Sequence, residues 1–162
     1  MIEAFINMNG QAREAGAYYA RAFGGAVTFL ETYARLADEG GGNLPDNKQE
    51  RVMHSTVSTF AGILTVSDKP PGQEAAPTDA LSLAVSHPDA GKLKAAFDAL
   101  ALDGRVVHPA QSTFFSPLYG MLVDKYGYSW IFLAREAAEK TGWRAILRRR
   151  AANHLHGRPK KR

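Results

Sequence analysis

The sequence predicts an α+β fold of two β-α-β-β-β modules, each bending a mixed sheet around a cup. Three observations carry this. A strand, a helix, a glycine turn and three further strands can be read twice along the 162 residues. Residues 69–79, with Pro70, Pro71 and Pro77 among small or polar side chains, separate the two readings as a linker. Residues 113–130, TFFSPLYGMLVDKYGYSW, set two aromatic-glycine steps (Tyr119-Gly120 and Tyr126-Gly127) around a short apolar run. That pattern is strand, turn, strand. The modules are therefore 1–68 and 80–134, and a basic helix or tail, 135–162, follows them.

In the first module, 2–8 reads as a strand of imperfect alternation, turned by Asn9-Gly10 with Asn9 as the expected helix N-cap. From 11 to 23, Ala12, Ala15, Tyr18, Tyr19, Ala22 and Phe23 recur at helical spacing. Gly24-Gly25 ends that helix as a glycine cap, and 26–33 returns as a strand. Residues 34–50, with Gly40–Gly42 and Pro45, read as a surface loop. The triple glycine lacks the GK[ST] ending of a phosphate cradle. Residues 51–60 and 62–67 form a hairpin turned near Ala61-Gly62.

The second module repeats the order. Residues 80–86 alternate, with Leu81, Leu83 and Val85 on one face. Pro88 suits the first helical position, and the helix runs to about Leu102, burying Leu93, Ala96, Phe97 and Leu100. Asp103-Gly104 stops it, and 105–108, 118–123 and 130–134 are strands, with Asp124 opening the last turn. AFGGAVTF and ALDGRVVH resemble one another, with Gly24 and Gly104 read as the matching glycines, a repeat of pattern rather than of letters.

Composition limits the function. With no cysteine there is no disulfide, thiolate ligand or cysteine nucleophile. The net charge is +4, but residues 140–162 hold nine Lys or Arg and no acid. Residues 1–139 carry 11 basic and 16 acidic side chains, a net of −5. The basicity belongs to the tail, and the acidic body argues against a nucleic-acid-binding core. The first ten residues lack the basic start and apolar run of a signal peptide, and no apolar run approaches the ~20 residues of a membrane span. A cytoplasmic protein is the expectation.

The letters then narrow the fold. Asn7, Gly10, Ala15, Tyr19, Phe23-Gly24-Gly25, Val52-Met53-His54, the run 64–68 and the series Gln-x-Thr-Phe-[aromatic]-Ser…Tyr-Gly…Asp-x-[aromatic]-Gly…Trp from Gln111 to Trp130 carry a resemblance. The chain, over about 1–134, resembles the PhnB-like branch of the vicinal oxygen chelate superfamily of glyoxalases, bleomycin-resistance proteins and extradiol dioxygenases. Phe115 stands where that branch commonly has tryptophan. The resemblance implies a cup for a small molecule and a homodimer in which modules pair across chains. Superfamily enzymes hold a divalent metal with His, Glu or Gln on the first and last strands of the cups. Those places fall near Ala4, Thr65, Ala80 and Phe132, or with a one-residue slip Asn7 and Ser67. None is an imidazole or carboxylate, so no metal site is expected. Members are often labelled 3-demethylubiquinone methyltransferase-like, yet no glycine-rich strand-to-helix loop for a nucleoside cofactor is present.

His54 is the candidate catalytic residue, because the branch commonly carries histidine there and Thr56 and Ser58 share its strand face. The alternative is a partly buried histidine bonded to a backbone carbonyl. Asn7, His54, Thr56, Phe115, Tyr119 and Trp130 are the candidate ligand-binding set; for the aromatics, and for Tyr126, core or dimer interface is the competing reading. His108 sits at a strand end, His87 before a helix, and His154 and His156 in the tail. Asp68 and Asp124 read as turn carboxylates rather than a catalytic pair.

The expected function is small-molecule binding in a cup without the usual metal or any cofactor. One alternative is a metal-dependent glyoxalase- or dioxygenase-type enzyme with a displaced site near His54. Another is an interaction protein acting through the basic tail, on nucleic acid without sequence specificity or on anionic lipid.

Overall fold

The computed structural model describes residues 3–38, 50–70, 72–76, 78 and 80–135. The Gly40–Gly42 stretch and the segment after Arg135, about which the sequence raises expectations, lie outside the described residues. The first module runs β1 (Ala4–Met8), α1 (Ala12–Ala22), β2 (Ala26–Thr32), α2 (Tyr33–Asp38), β3 (Val52–Thr59), β4 (Gly62–Asp68). The second runs β5 (Ser82–His87), α3 (Ala90–Ala101), β6 (Arg105–Gln111), β7 (Tyr119–Val123), β8 (Ser129–Ala134). Each contributes one four-stranded mixed sheet, ordered β1-β4-β3-β2 and β5-β8-β7-β6. In both, the first and last strands pair in parallel and the other neighbours antiparallel. This is the doubled α+β motif expected.

Four local expectations change. Residues after Thr32 do not go straight to loop; Tyr33–Asp38 makes a short helix, tied by an Arg35–Glu31 ion pair of 2.9 Å across one turn. Asn9 does not cap α1. Its carboxamide instead bonds Ala75 of the linker both ways, at 2.8 and 2.7 Å. The α1 N-terminus is satisfied from afar, by Asp68 Oδ1 accepting from the Gly10 and Ala12 N–H groups at 2.6 and 3.1 Å. Pro88 is likewise outside α3, whose N-cap is Asp89, accepting from Gly91 and Lys92 N–H at 2.9 and 3.1 Å.

The fourth concerns the repeat. Gly24 takes φ +57° and completes a Schellman cap, with Gly24 N–H on Arg21 O and Gly25 N–H on Ala20 O. Gly104 is needed for a different reason: a Cβ there would sit 2.6 Å from Val123 O on β7. Its counterpart is Gly25, where a Cβ would meet Ser58 O of β3 at 1.8 Å. Close approach of helix end to strand, not backbone handedness, is what the two modules share.

The modules meet through α1. Tyr19 and Phe23 stack against Trp130 with centroids 5.5 and 5.2 Å apart, and Phe23 also lies parallel to Phe132 at 6.1 Å. Phe97 of α3 closes on Phe132 edge-on at 5.5 Å. Tyr19, Phe132, Leu93 and Leu100 are fully buried, each stabilising by about 2–3 kcal/mol. The helix-facing sides of both sheets thus share one aromatic core, and each sheet keeps an opposite, open face.

Candidate functional site

The open face of the first sheet is set by strand alternation. On β1, Ile6 and Met8 are buried toward α1, leaving Phe5 and Asn7 on the other side. Register then lays out two rows. Phe5 pairs with Thr65, Thr65 with Thr56, and Thr56 with Phe29. Asn7 pairs with Ser67, and His54 with Glu31. The β3–β4 register, carried one step past Ser55–Val66, sets Ser67 beside His54. One row is aromatic at its ends and hydroxylic in the middle; the other is wholly polar.

His54 lies between the two phenylalanines, its ring 6.1 Å from Phe5 and 5.9 Å from Phe29, tilted at 55° and 57°. Phe5 and Phe29 are 55% and 49% exposed, so these rings are open to an incoming molecule. No hydrogen bond to the imidazole is made among the described residues, and no backbone carbonyl satisfies it. The imidazole is an available donor and acceptor flanked by apolar rings. Glu31, its cross-strand neighbour, is bonded to Arg35 at 2.9 Å.

The candidate residues fall into separate groups. Asn7, His54 and Thr56 share the first open face. Phe115 and Tyr119 belong with the open face of the second sheet, 5.2 Å apart edge-on, and the exposed His108 joins Tyr119 at 6.4 Å. Trp130 belongs to neither; it is 4% exposed on the helix side, and its Nε1–H donates to Asp124 Oδ2 at 2.7 Å. Tyr126 packs edge-on against Tyr18 at 5.7 Å, in the module interface. His87 accepts from Asp89 N–H through Nδ1 and packs on Phe60, a local end-of-strand role. Phe5 and Phe29 escaped the sequence reading. Phe5 was findable as the alternate of Asn7, but Phe29 reaches this face through a β-bulge between Val27 and Phe29 that no spacing announces.

Asp68 and Asp124 are both buried, at 2% and 4% exposure, and both serve backbone turns. Asp68 adds Val52 N–H at 2.8 Å to its α1 contacts. Asp124 accepts from Tyr126 and Tyr128 N–H at 2.9 and 3.0 Å through Oδ1, and from Tyr19 Oη at 2.7 Å through Oδ2. Burial, reinforced by the Asp124 charge, pushes the Tyr19 phenol well above its ordinary range. Tyr128, pushed up mainly by burial, donates its hydroxyl to Asn7 O across the modules.

The superfamily's metal positions can be tested on this geometry. On the first and last strands of each sheet the open-face residues are Phe5 and Asn7, Thr65 and Ser67, Ala84 and Ser86, Ile131 and Leu133. Ala4 and Phe132, expected near those positions, face the helices instead, one residue out of phase. The open-face set offers hydroxyl and carboxamide oxygens but no imidazole or carboxylate, and does not fit a divalent cation. Among the described residues no group of three or more His, Asp or Glu is placed to hold one. No helix among them is long and apolar enough to cross a membrane.

Comparison with known proteins agrees with this architecture. The family model described as 3-demethylubiquinone-9 3-methyltransferase matches residues 1–133. Protein YjdN of Escherichia coli (strain K12) is 24% identical over 136 residues, 80% of this chain and 92% of its own length. The crystal structure of PA1353 from Pseudomonas aeruginosa superposes with a TM-score of 0.68 at 24% identity, over 84% of this chain and 98% of that one. A PhnB protein from Bacillus cereus gives 0.63 at 27% identity, over 83% and 98%. A glyoxalase/bleomycin resistance protein from Albidiferax ferrireducens T118 shares the fold, with 0.53 at 14% identity over 83% and 98%. The chain therefore belongs to the family described as 3-demethylubiquinone-9 3-methyltransferase, and it shares the fold of the PhnB and glyoxalase/bleomycin resistance structures.

Proposed function

We propose that the protein binds a small, ring-containing organic molecule on the open face of the first sheet, around His54, without a metal ion. The observation that carries this is the His54 imidazole, unbonded among the described residues and held between the exposed Phe5 and Phe29 rings. A planar ligand stacks on such rings, and the polar groups of Asn7 and His54 fix its orientation by hydrogen bonds. The hydroxyl and carboxamide lining supports recognition through hydrogen bonds rather than through a cation.

A second copy of the chain closes the cup. Phe5, Phe29 and Ile63 are between 49% and 55% exposed, an apolar border that a partner's sheet would cover. On this reading Phe115 and Tyr119 join the site from the other chain. Methyl transfer, which the family description names, is not part of the proposal, because the β1–α1 turn is filled by Asp68 rather than open to a nucleoside cofactor.

The alternative of a metal-dependent enzyme near His54 has one observation in its favour, the Glu31–His54 cross-strand pair. Two ligands with Glu31 already on Arg35 make a poor metal centre.

Ligand-observed NMR with a set of mono- and bicyclic aromatic alcohols and acids tests the proposal. Binders should lose about tenfold in affinity with His54→Ala, a change of ~1.4 kcal/mol. Binding unaffected by His54→Ala and by Phe29→Ala would refute it. A need for added Mn²⁺, Ni²⁺ or Zn²⁺ would favour the enzyme instead.

A further inference from the structure

We propose that His108 and Phe114 complete, with Phe115 and Tyr119, an aromatic wall of the ligand site, and that this wall selects a fused bicyclic aromatic over a single ring. The wall reaches His54 from a second copy, so this choice of ligand rests on the reading proposed above.

The two open faces correspond through the internal repeat. Gly25 and Gly104 hold matching places before β2 and β6. Each of those strands then bulges, between Val27 and Phe29 and between Val106 and His108. Beyond the bulge Phe29 pairs with Thr56, and His108 with Met121. Two residues before those partners, on the same strand face, stand His54 and Tyr119. An imidazole and an aromatic ring thus occupy the same pair of positions in both modules, exchanged between strands. Their centroids are 5.9 Å apart in the first sheet and 6.4 Å in the second. Neither sheet needs the pair for its core, which lies on the opposite, helix-facing side. His108 is exposed and, like His54, makes no hydrogen bond among the described residues. Tyr119 is steadied by its hydroxyl, which donates to Met121 Sδ at 3.1 Å.

Phe114 extends the pair into a wall. Its side chain is 70% exposed, yet the turn that carries it is pinned. Thr113 N–H donates to Ser116 O at 2.9 Å, and Ser116 N–H to Thr113 Oγ1 at 3.1 Å. The buried Ser116 sets its hydroxyl between Leu118 O and Ala134 O, at 2.6 and 2.8 Å, which ties the turn to β8. Phe114 then meets Phe115 edge-on at 5.0 Å, and Phe115 meets Tyr119 edge-on at 5.2 Å. A large apolar ring held in water by a bonded turn has already lost backbone freedom that binding would otherwise cost. Four rings in sequence offer more aromatic surface than a single-ring ligand covers, which favours a fused one. The separate groove between the modules, about 120 Å³ beside Trp130, shares none of these residues.

Ligand-observed NMR on the full chain, with β-naphthol and phenol as probes, tests the wall. Fused rings bury more area at any apolar site, so the ratio of the two affinities in variants is decisive. Phe114→Ala should lower the β-naphthol affinity roughly fivefold and the phenol affinity less than about twofold. His108→Ala should do the same, whereas Phe114→Tyr should keep the parent ratio. Both side chains are exposed, so neither change disturbs the core. His54→Ala should weaken both probes alike. No loss in Phe114→Ala, or a loss shared equally by the two probes, would overturn the wall. Dependence on Phe114 without dependence on His54 would uphold the wall and refute the first-face site. Failure of both probes to bind would overturn the two together.

Discussion

The Tyr19 hydroxyl donates to Asp124 Oδ2 at 2.7 Å, joining the first module's helix to the second module's last turn across 105 positions of sequence. Asp124 is 4% exposed and its oxygens also receive Trp130 Nε1–H and two backbone N–H groups. A buried carboxylate with four neutral donors and no cation loses one of them, the Tyr19 hydroxyl, when the modules part. The two modules are therefore expected to unfold as one unit.

Tyr19→Phe should lower stability by about 1–3 kcal/mol, the cost of losing a hydrogen bond to a buried charge. Asp124→Ala strands four donors at once and should cost more, about 3–5 kcal/mol. Urea unfolding followed by tryptophan fluorescence measures both, since Trp130 is in the same network. A single transition should persist in each variant.

Alkaline pH should weaken the same junction. Burial, then the hydrogen bond to Glu14, push Tyr126 up to about 12, and burial with the Asp124 charge raises Tyr19 as well. The Glu14 hydrogen bond raises Lys125, whose ammonium donates to Glu14 at 2.6 Å and lies 4.7 Å from the Tyr18 ring centroid. A group that holds its proton more tightly when folded adds stability fully present below its unfolded pKa, roughly 10 for tyrosine. That stability is lost as pH rises through the folded value. Urea midpoints should therefore fall between pH 10 and 12, and fall less in Tyr126→Phe than in the parent.

Gly25→Ala should destabilise far more than Gly24→Ala, although Gly24 alone of the pair has a positive φ. A Cβ on Gly25 would sit 1.8 Å from Ser58 O, which the sheet cannot yield; a Cβ on Gly24 meets nothing within 4 Å. The expected costs are more than about 3 kcal/mol and about 1 kcal/mol, from a backbone clash and from left-handed strain respectively. Thermal melts of both variants decide it.

The doubled motif was legible because each module repeats the same punctuation: alternating strand, 3.6-period helix, glycine stop. Boundaries failed where a distant residue takes over a local task, as Asp68 does for the start of α1. The matching of Gly24 to Gly104 failed, although the two strings laid letter against letter set Gly25 on Gly104; a φ requirement and a packing one look alike in adjacent glycines. On the candidate site, alternation put His54 and Thr56 on one strand face, and the β1–β4–β3 register adds Asn7 to it. Phe29 joins them through a bulge, and Trp130 leaves them because its strand faces the helices there. Aromatic density near a glycine turn marks both core and pocket, and composition does not separate the two.

The His54 face is the proposed seat of a small molecule, and a crystal structure with a bound aromatic fragment tests that most directly. The predicted result is a ring lying on the exposed face of Phe5 or Phe29 with a polar atom hydrogen-bonded to His54, and Tyr119 of a second copy closing over it. A fragment lodged only in the groove beside Trp130, with the His54 face bare or packed shut by its own chain, would contradict it.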